Sequence, residues 1–273
     1  GFGKNEQLLG KALKGKRQNV FLASKCGMTG VDGKRVIDGR PQTLRATIEQ
    51  SLRHLQTDVL DLYYLHRWDR SVPIEESVGA LSRMVEEGKI KAIGLSEVSA
   101  ATIQKAHEVH AIAAVQSEYS LWSRNVEIAV LDKCRELDIA LVAFSPLARG
   151  FLSGDITDSG AIADGDIRKG MPRFQAEHLS TNYQLLNVLD EIANELACTK
   201  AQVALAWVLQ QHECIHAIPG TTNLSHLKDN VAAQKIRLSA NQLQMLANSF
   251  APQKISGPRY PQATQLEIDT EEF

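Results

Sequence analysis

The chain has 273 residues, with 30 Lys and Arg against 32 Asp and Glu and a formal net charge of −2. Hydrophobic residues at 44% and charged residues at 23% give the balance of a globular protein with a sizeable core, as one large domain or two small ones. The near-neutral charge argues against a broad electrostatic grip on nucleic acid, and no apolar run approaches the ~20 residues that cross a bilayer.

The sequence opens Gly1-Phe2-Gly3, without an initiator Met and without the basic start and apolar stretch of a signal peptide. A helical pattern over 6–13 comes first, with no strand pattern before it. Short apolar runs then alternate with amphipathic ones. Strands are expected at 20–23, 59–65, 92–95, 113–115, 139–144 and 215–218. Helices are expected at 43–55, 74–87, 100–110, 126–137, 183–211 and 224–233, the fifth dividing where Thr199 can cap a new start. The strand runs are near-continuously apolar, as in a buried parallel sheet, and their alternation with helices means βα units. Residues 155–180 form a long excursion of the kind used as lids, and 239–273 form a C-terminal extension. No low-complexity linker interrupts the chain, so residues 1–273 are expected to be a single domain.

The four cysteines, Cys26, Cys134, Cys198 and Cys214, are far apart and form no CxxC pair, so neither a metal nor a redox site is expected. Reduced thiols point to a cytoplasmic location. A doubly wound nucleotide fold needs a Gly-rich turn after its first strand. The candidate at Gly1 to Glu6 lacks the third glycine and a preceding strand. The succession of units fits a (β/α)8 barrel better, although six strands are counted rather than eight.

Barrel chemistry sits at the C-terminal strand ends. Those ends supply Lys25, His66, Ser96-Glu97, Gln116 to Trp122, Ser145 to Leu147 and Gly220 to Thr222. Lys25 and His66 each end an apolar run, which makes them an acid–base pair if they meet. Thr221 and Thr222 lead into a helical pattern, and the loop after 139–144 is rich in small residues and carries Arg149. These features suit a phosphate rim. Ordinary capping accounts for them equally well from local sequence.

The motifs GFGKNEQLLGKAL (1–13), FLASKCG (21–27), DVLDLYYLHRWD (58–69), EEGKIKAIGLSE (86–97), VQSEYSLWSR (115–124), FSPLARGFLSG (144–154), TKAQVALAWVL (199–209) and IPGTTNLSHLKDN (218–230) together resemble the aldo-keto reductases over the whole chain. Their forms are most similar to the branch holding pyridoxal reductase and perakine reductase, and more distantly to channel-associated β subunits. The resemblance implies a (β/α)8 barrel that transfers hydride from NADPH to an aldehyde or ketone, or back to NADP+. Lys25 and His66 match two members of its Asp-Tyr-Lys-His tetrad, in which Lys lowers the pKa of a proton-donating Tyr and His orients the carbonyl. The Asp and Tyr would precede Gly1. The opening is therefore expected to be a break in a longer chain, lacking two βα strands, and residues 1–273 alone are expected to be inactive. Tyr64 is a candidate stand-in for the donor, with packing the favoured role.

By the same resemblance Ser96 and Gln116 hold the nicotinamide amide and Phe144 lies against its ring. Ser145, Leu147 and Gly150 serve the pyrophosphate, and the excursion over 155–180 is expected, from its length, to fold over it with Arg173 as a contact. Gly220, Thr221 and Thr222 meet the 2′-phosphate, and His226, Asp229 and Asn230 meet the adenosine. His226 stands where several members have Arg, with Lys228 as an alternative positive charge. Trp68 and Trp122 are expected in the substrate pocket. The implied partner is a small-molecule carbonyl compound, with neither nucleic acid nor membrane, and a homo-oligomer is compatible with it. An NADPH-binding regulatory subunit and an inactive truncated paralogue are the alternative readings.

Overall fold

A computed structural model of the chain describes residues 3–31, 34–156 and 158–273. The expectation placed on Gly1 lies outside the described residues. In chain order, helix α1 (Lys4–Ala12) precedes strand β1 (Ala23–Cys26) and a hairpin of β2 (Met28–Val31) and β3 (Lys34–Ile37). Then come α2 (Pro41–Leu55), β4 (Leu62–Leu65), α3 (Ile74–Glu86), β5 (Ile93–Ser96), α4 (Ala100–Val109) and β6 (Ile112–Glu118). The rest comprises α5 (Val130–Glu136), β7 (Ala140–Phe144), α6 (Ala176–Tyr183), α7 (Leu186–Glu195), α8 (Lys200–Leu209), β8 (Ile215–Ile218), α9 (Leu224–Ala232), α10 (Ala240–Ser249) and α11 (Gln262–Gln265). Two compact units divide these elements, the first built mainly from residues 1–116 and the second mainly from 141–266.

In the first unit β1, β4, β5 and β6 run parallel. Lys25 is in register with Tyr64, Tyr64 with Gly94, and Ser96 with Gln116. Helix α2 packs through Leu44, Ile48, Leu52 and Leu55, all buried at helical spacing, and α3 through Ile74, Val78, Leu81 and Met84. Each such side chain contributes roughly 1.5–3 kcal/mol by leaving water. Asp61, just before β4, accepts from the Leu22 N–H at 2.8 Å and pairs with Arg17 and Lys91, which ties the entries of β1 and β4 together.

In the second unit β7 pairs in parallel with β8, Phe144 opposite Ile218. Trp207 of α8 fills the core beside Tyr119, ring centroids 5.4 Å apart, and Phe151 and Phe250 are fully buried. Thr199 caps α8 in a reciprocal pair with Gln202, so the long helical pattern over 183–211 does divide there.

The α/β class and six parallel strands agree with the sequence reading. The β2–β3 hairpin was not foreseen, because its alternation over four residues per strand is short and broken by Gly30. The first strand begins at Ala23 rather than Val20, since Val20 and Phe21 stay exposed ahead of the sheet. The expected helix over 126–137 is a short 3-10 turn, Asn125–Glu127, followed by α5. The excursion over 155–180 holds the 3-10 turns Ser159–Ala161, Ile167–Gly170 and Pro172–Phe174 and the start of α6.

Candidate active site

Parallel register sends the ends of β1, β4, β5 and β6 to one edge of the first unit, and there the sequence-predicted polar residues converge. Lys25 is largely buried. Its Nζ lies 5.7 Å from the centre of the Tyr64 ring, and burial followed by the charge of Arg67 pulls its pKa down. His66 follows β4 with its N–H donating to the Cys26 carbonyl at 2.8 Å. Burial, then the charges of Arg67 and Lys25, lower the imidazole to about 3, so it is neutral at physiological pH. Its ring therefore keeps one N–H donor and one acceptor.

The Tyr64 ring packs closely against Gly94. A Cβ at Gly94 would stand 2.4 Å from the Tyr64 ring, so only glycine admits the ring there. Burial pushes the Tyr64 hydroxyl up to about 12 against the opposing effect of a Gln116 hydrogen bond. The phenol is thus not primed to give up its proton. Ser96 and Gln116 are both buried, and Arg67 donates to Ser96 Oγ at 3.3 Å and to the His66 carbonyl at 2.8 Å. Glu97 turns the chain away from β5 with φ 57°, its N–H on the Gln116 carbonyl and its own carbonyl taking the Asp269 N–H. Trp68 is half-buried, donates to the Val72 carbonyl and carries the Arg70 guanidinium over its ring at 5.6 Å.

The second unit contains a cavity of about 580 Å³, within the usual range for a small-molecule site, at the ends of β7 and β8. Of the residues expected to hold cofactor, Phe144, Ser145, Leu147, Gly150, Gly220, Thr221, His226, Asp229 and Asn230 line it. Two of the expected residues lie outside its lining. Thr222 is not among the lining residues. Neither is Arg173, which donates from Nε to the Gly257 carbonyl and from Nη1 to the Trp122 carbonyl and Ser123 Oγ. Burial brings the Arg173 guanidinium down to about 10. Lys228 projects from α9 beside Leu227, Val231 and Lys235, away from the cavity-facing His226, Asp229 and Asn230. Trp122 stacks on Phe151 at 3.9 Å and meets Phe174 edge-on, so within its own unit it is a packing residue.

The loop after β7 is the unusual part of the cavity. Ser145, Ala148 and Arg149 have φ of 48°, 49° and 55°, and Gly150 has 94°. Each non-glycine residue there costs roughly 1–2 kcal/mol, so the conformation lasts only where surrounding contacts impose it. Within the loop the Ala148 N–H donates to the Ser145 carbonyl at 2.8 Å and the Gly150 N–H to the Leu147 carbonyl at 3.0 Å, so these two N–H groups are taken up by the turn itself. At the opposite wall Thr221 Oγ1 accepts the Asn223 N–H and Asn223 Oδ1 accepts the Ser225 N–H, so local capping occupies part of that helix start.

The arrangement that maintains the loop escaped sequence reading. Glu118, 2% exposed, receives two hydrogen bonds from Arg149, each of 2.8 Å, one from Arg259 Nε at 3.1 Å and one from the Tyr260 hydroxyl at 2.8 Å. Burial alone would raise this carboxyl. The Arg259 and Arg149 charges and the hydrogen bonds outweigh it and hold Glu118 well below the usual carboxylate range. Its one legible signal was a charged residue in the apolar run leaving β6. Among the described residues no group of three His, Cys, Asp or Glu could hold a metal ion, and no helix is long and apolar enough to cross a membrane.

Residues 1–249 match the family model described as the aldo/keto reductase family. The chain is 43% identical over 263 residues to a probable aldo-keto reductase 1 of Glycine max, covering 95% of this chain and 75% of the relative. Among solved structures it resembles a glycerol dehydrogenase from Gluconobacter oxydans, with TM-score 0.84, 27% identity, and coverage of 95% of this chain and 80% of the other. It also resembles an aldo/keto reductase from Klebsiella pneumoniae in complex with NADP and acetate. There the TM-score is 0.69 and the identity 28%, covering 98% of this chain and 80% of the other.

Proposed function

The chain belongs to the aldo/keto reductase family, with that family's (β/α)8-barrel class of fold, and on this premise we propose that Lys25 and His66 act on the carbonyl of an aldehyde or ketone reduced with NADPH. The residues present suit the cofactor by the chemistry of their donors. In the second unit the Ser145 hydroxyl suits a pyrophosphate, and His226, Asp229 and Asn230 offer polar contacts to an adenosine. In the first unit the Ser96 hydroxyl and the Gln116 amide suit a carboxamide.

NADPH, when bound, supplies the hydride. The chain's own part is to hold the carbonyl and stabilise the negative charge that grows on its oxygen. Neutral His66 can donate one N–H to that oxygen, and the Lys25 ammonium, desolvated by burial, stabilises the charge more strongly than it would in water. Tyr64 is an unsuitable proton source because its hydroxyl is pushed up to about 12. Arg173 and Thr222 drop out of the proposed cofactor set, and Ser153 and Thr199, which also line the cavity, join it.

The observation that carries this reading is the convergence of Lys25, His66, Ser96 and Gln116 on one edge of four parallel strands. The test is NADPH oxidation with a panel of aromatic and aliphatic aldehydes by the wild-type protein and by Lys25→Met. Against the inactivity expected from the sequence, the neutral His66 N–H near the Lys25 charge makes turnover by the wild type the expected result, and the variant should bind NADPH without turnover. Unchanged turnover in Lys25→Met would overturn the assignment. Four free thiols, Cys26 and Cys134 among them buried, support the proposal of a reducing, cytoplasmic setting.

A further inference from the structure

The cavity loop 145–150 carries three non-glycine residues in the left-handed region; its own bonds from the Ala148 N–H to the Ser145 carbonyl and from the Gly150 N–H to the Leu147 carbonyl close its turns, and contacts from outside offset the remaining strain. Besides a hydrogen bond from Nη2 to the Tyr260 hydroxyl at 3.0 Å, two contacts reach Arg149. Its guanidinium is gripped bidentately by Glu118, and its carbonyl accepts from Arg168 Nη1 at 3.0 Å. The second contact is replaceable, because Arg168 is half-exposed and is itself held by Asp166, two residues away. The first is not. Glu118 is enclosed, its carboxylate is kept ionised by Arg149, Arg259 and Tyr260, and Arg259 and Tyr260 are themselves buried in the C-terminal segment.

We propose that Glu118 is a positioning residue for the cofactor: through Arg149 it holds residues 145–150 in the conformation that receives the pyrophosphate. This rests on the reading of the 580 Å³ cavity as an NADPH site. With the Glu118 charge removed, the Arg149 guanidinium would be left in a half-buried place without its partner. A buried charge that loses its partner moves towards water. Arg149 lines the cavity, so its way out lies through the cavity wall, and the left-handed turn would relax with it. Glu118 touches neither cofactor nor carbonyl in this scheme, so the effect belongs to binding and not to the chemical step.

The experiment measures NADPH affinity by fluorescence titration, and kcat at saturating NADPH, for the wild type, Glu118→Gln, Arg149→Met and Tyr260→Phe. Glu127→Gln serves as control, because it breaks a different ion pair of the same unit, with Arg124. Glu118→Gln and Arg149→Met are expected to weaken NADPH at least tenfold while kcat stays within threefold. Tyr260→Phe, which removes the hydroxyl's bonds with Glu118, Arg149 and Arg259 and keeps the ion pair, is expected to weaken it two- to fivefold. Glu127→Gln is expected to lower thermal stability and leave NADPH affinity unchanged. If Glu118→Gln does not fold, Arg149→Met and Tyr260→Phe decide. Unchanged or tighter NADPH binding in the variants of a wild type that binds overturns this proposal alone, and tighter binding by Glu118→Gln with weaker binding by Arg149→Met would mean that Arg149 leaves Glu118 to meet the phosphates directly. A wild type that does not bind NADPH removes the functional reading beneath it as well.

Discussion

Burial does most of the chemical tuning at the residue scale. Lys25 and His66 carry the same sign when protonated and face Arg67 as well, so the surroundings favour a neutral imidazole. One consequence is kinetic: kcat/KM for carbonyl reduction should show no His66 limb between pH 5 and 8. Such a limb, absent in His66→Gln, would mean that the imidazole titrates in its ordinary range. A second prediction concerns Gly94. Placing a methyl group 2.4 Å from a buried tyrosine ring is an overpacking that costs about 1–3 kcal/mol. Gly94→Ala should therefore lower the urea midpoint, and the double variant Gly94→Ala with Tyr64→Leu should recover part of the loss.

Among the elements, local rules and long-range contacts divide the work. Helix α8 begins where it does because Thr199 and Gln202 satisfy each other's backbone N–H groups, a purely local device. Thr199→Ala should cost about 1 kcal/mol in chemical unfolding, although Thr199 also lines the cavity and a modest loss of cofactor affinity should accompany it. The loop after β7 is the opposite case. Its left-handed residues are closed by bonds within the turn and, in the proposed scheme, held by the remote Glu118 through Arg149. The excursion over 155–180 also reaches this loop, since Arg168 donates to the Arg149 carbonyl.

For the whole molecule two measurements follow. If the cavity is the NADPH site, NADPH should raise the melting temperature in proportion to the logarithm of its concentration. The corresponding stabilisation is about 2.7 kcal/mol at a hundredfold excess over Kd. Acid should destabilise the fold through His66. Its pKa is about 3 in the native state and about 6.5 when unfolded, so the unfolded chain binds more protons between those values. Its contribution is complete above pH ~6.5 and is lost as pH falls towards ~3, at a slope of at most ~1.4 kcal/mol per pH unit. His66→Gln should flatten that part of the stability profile.

Periodicity and strand-end position were enough to determine the α/β class, the six parallel strands, the division of the long helix at Thr199, and Lys25 and His66 as candidates. These properties are set within a few residues of themselves, by side-chain spacing, caps and the polarity of a strand's last position. The Glu118 cluster, the close packing of Tyr64 on Gly94 and the bonds of Arg173 to Trp122 and Gly257 were not legible. Glu118 meets Arg259 and Tyr260 across about 140 residues of chain, and Arg173 turns to Trp122 and Gly257 because their carbonyls lie beside it only in the folded unit. A buried charge is placed by what can neutralise it, and that partner is chosen by the packing of distant elements, which no local pattern encodes.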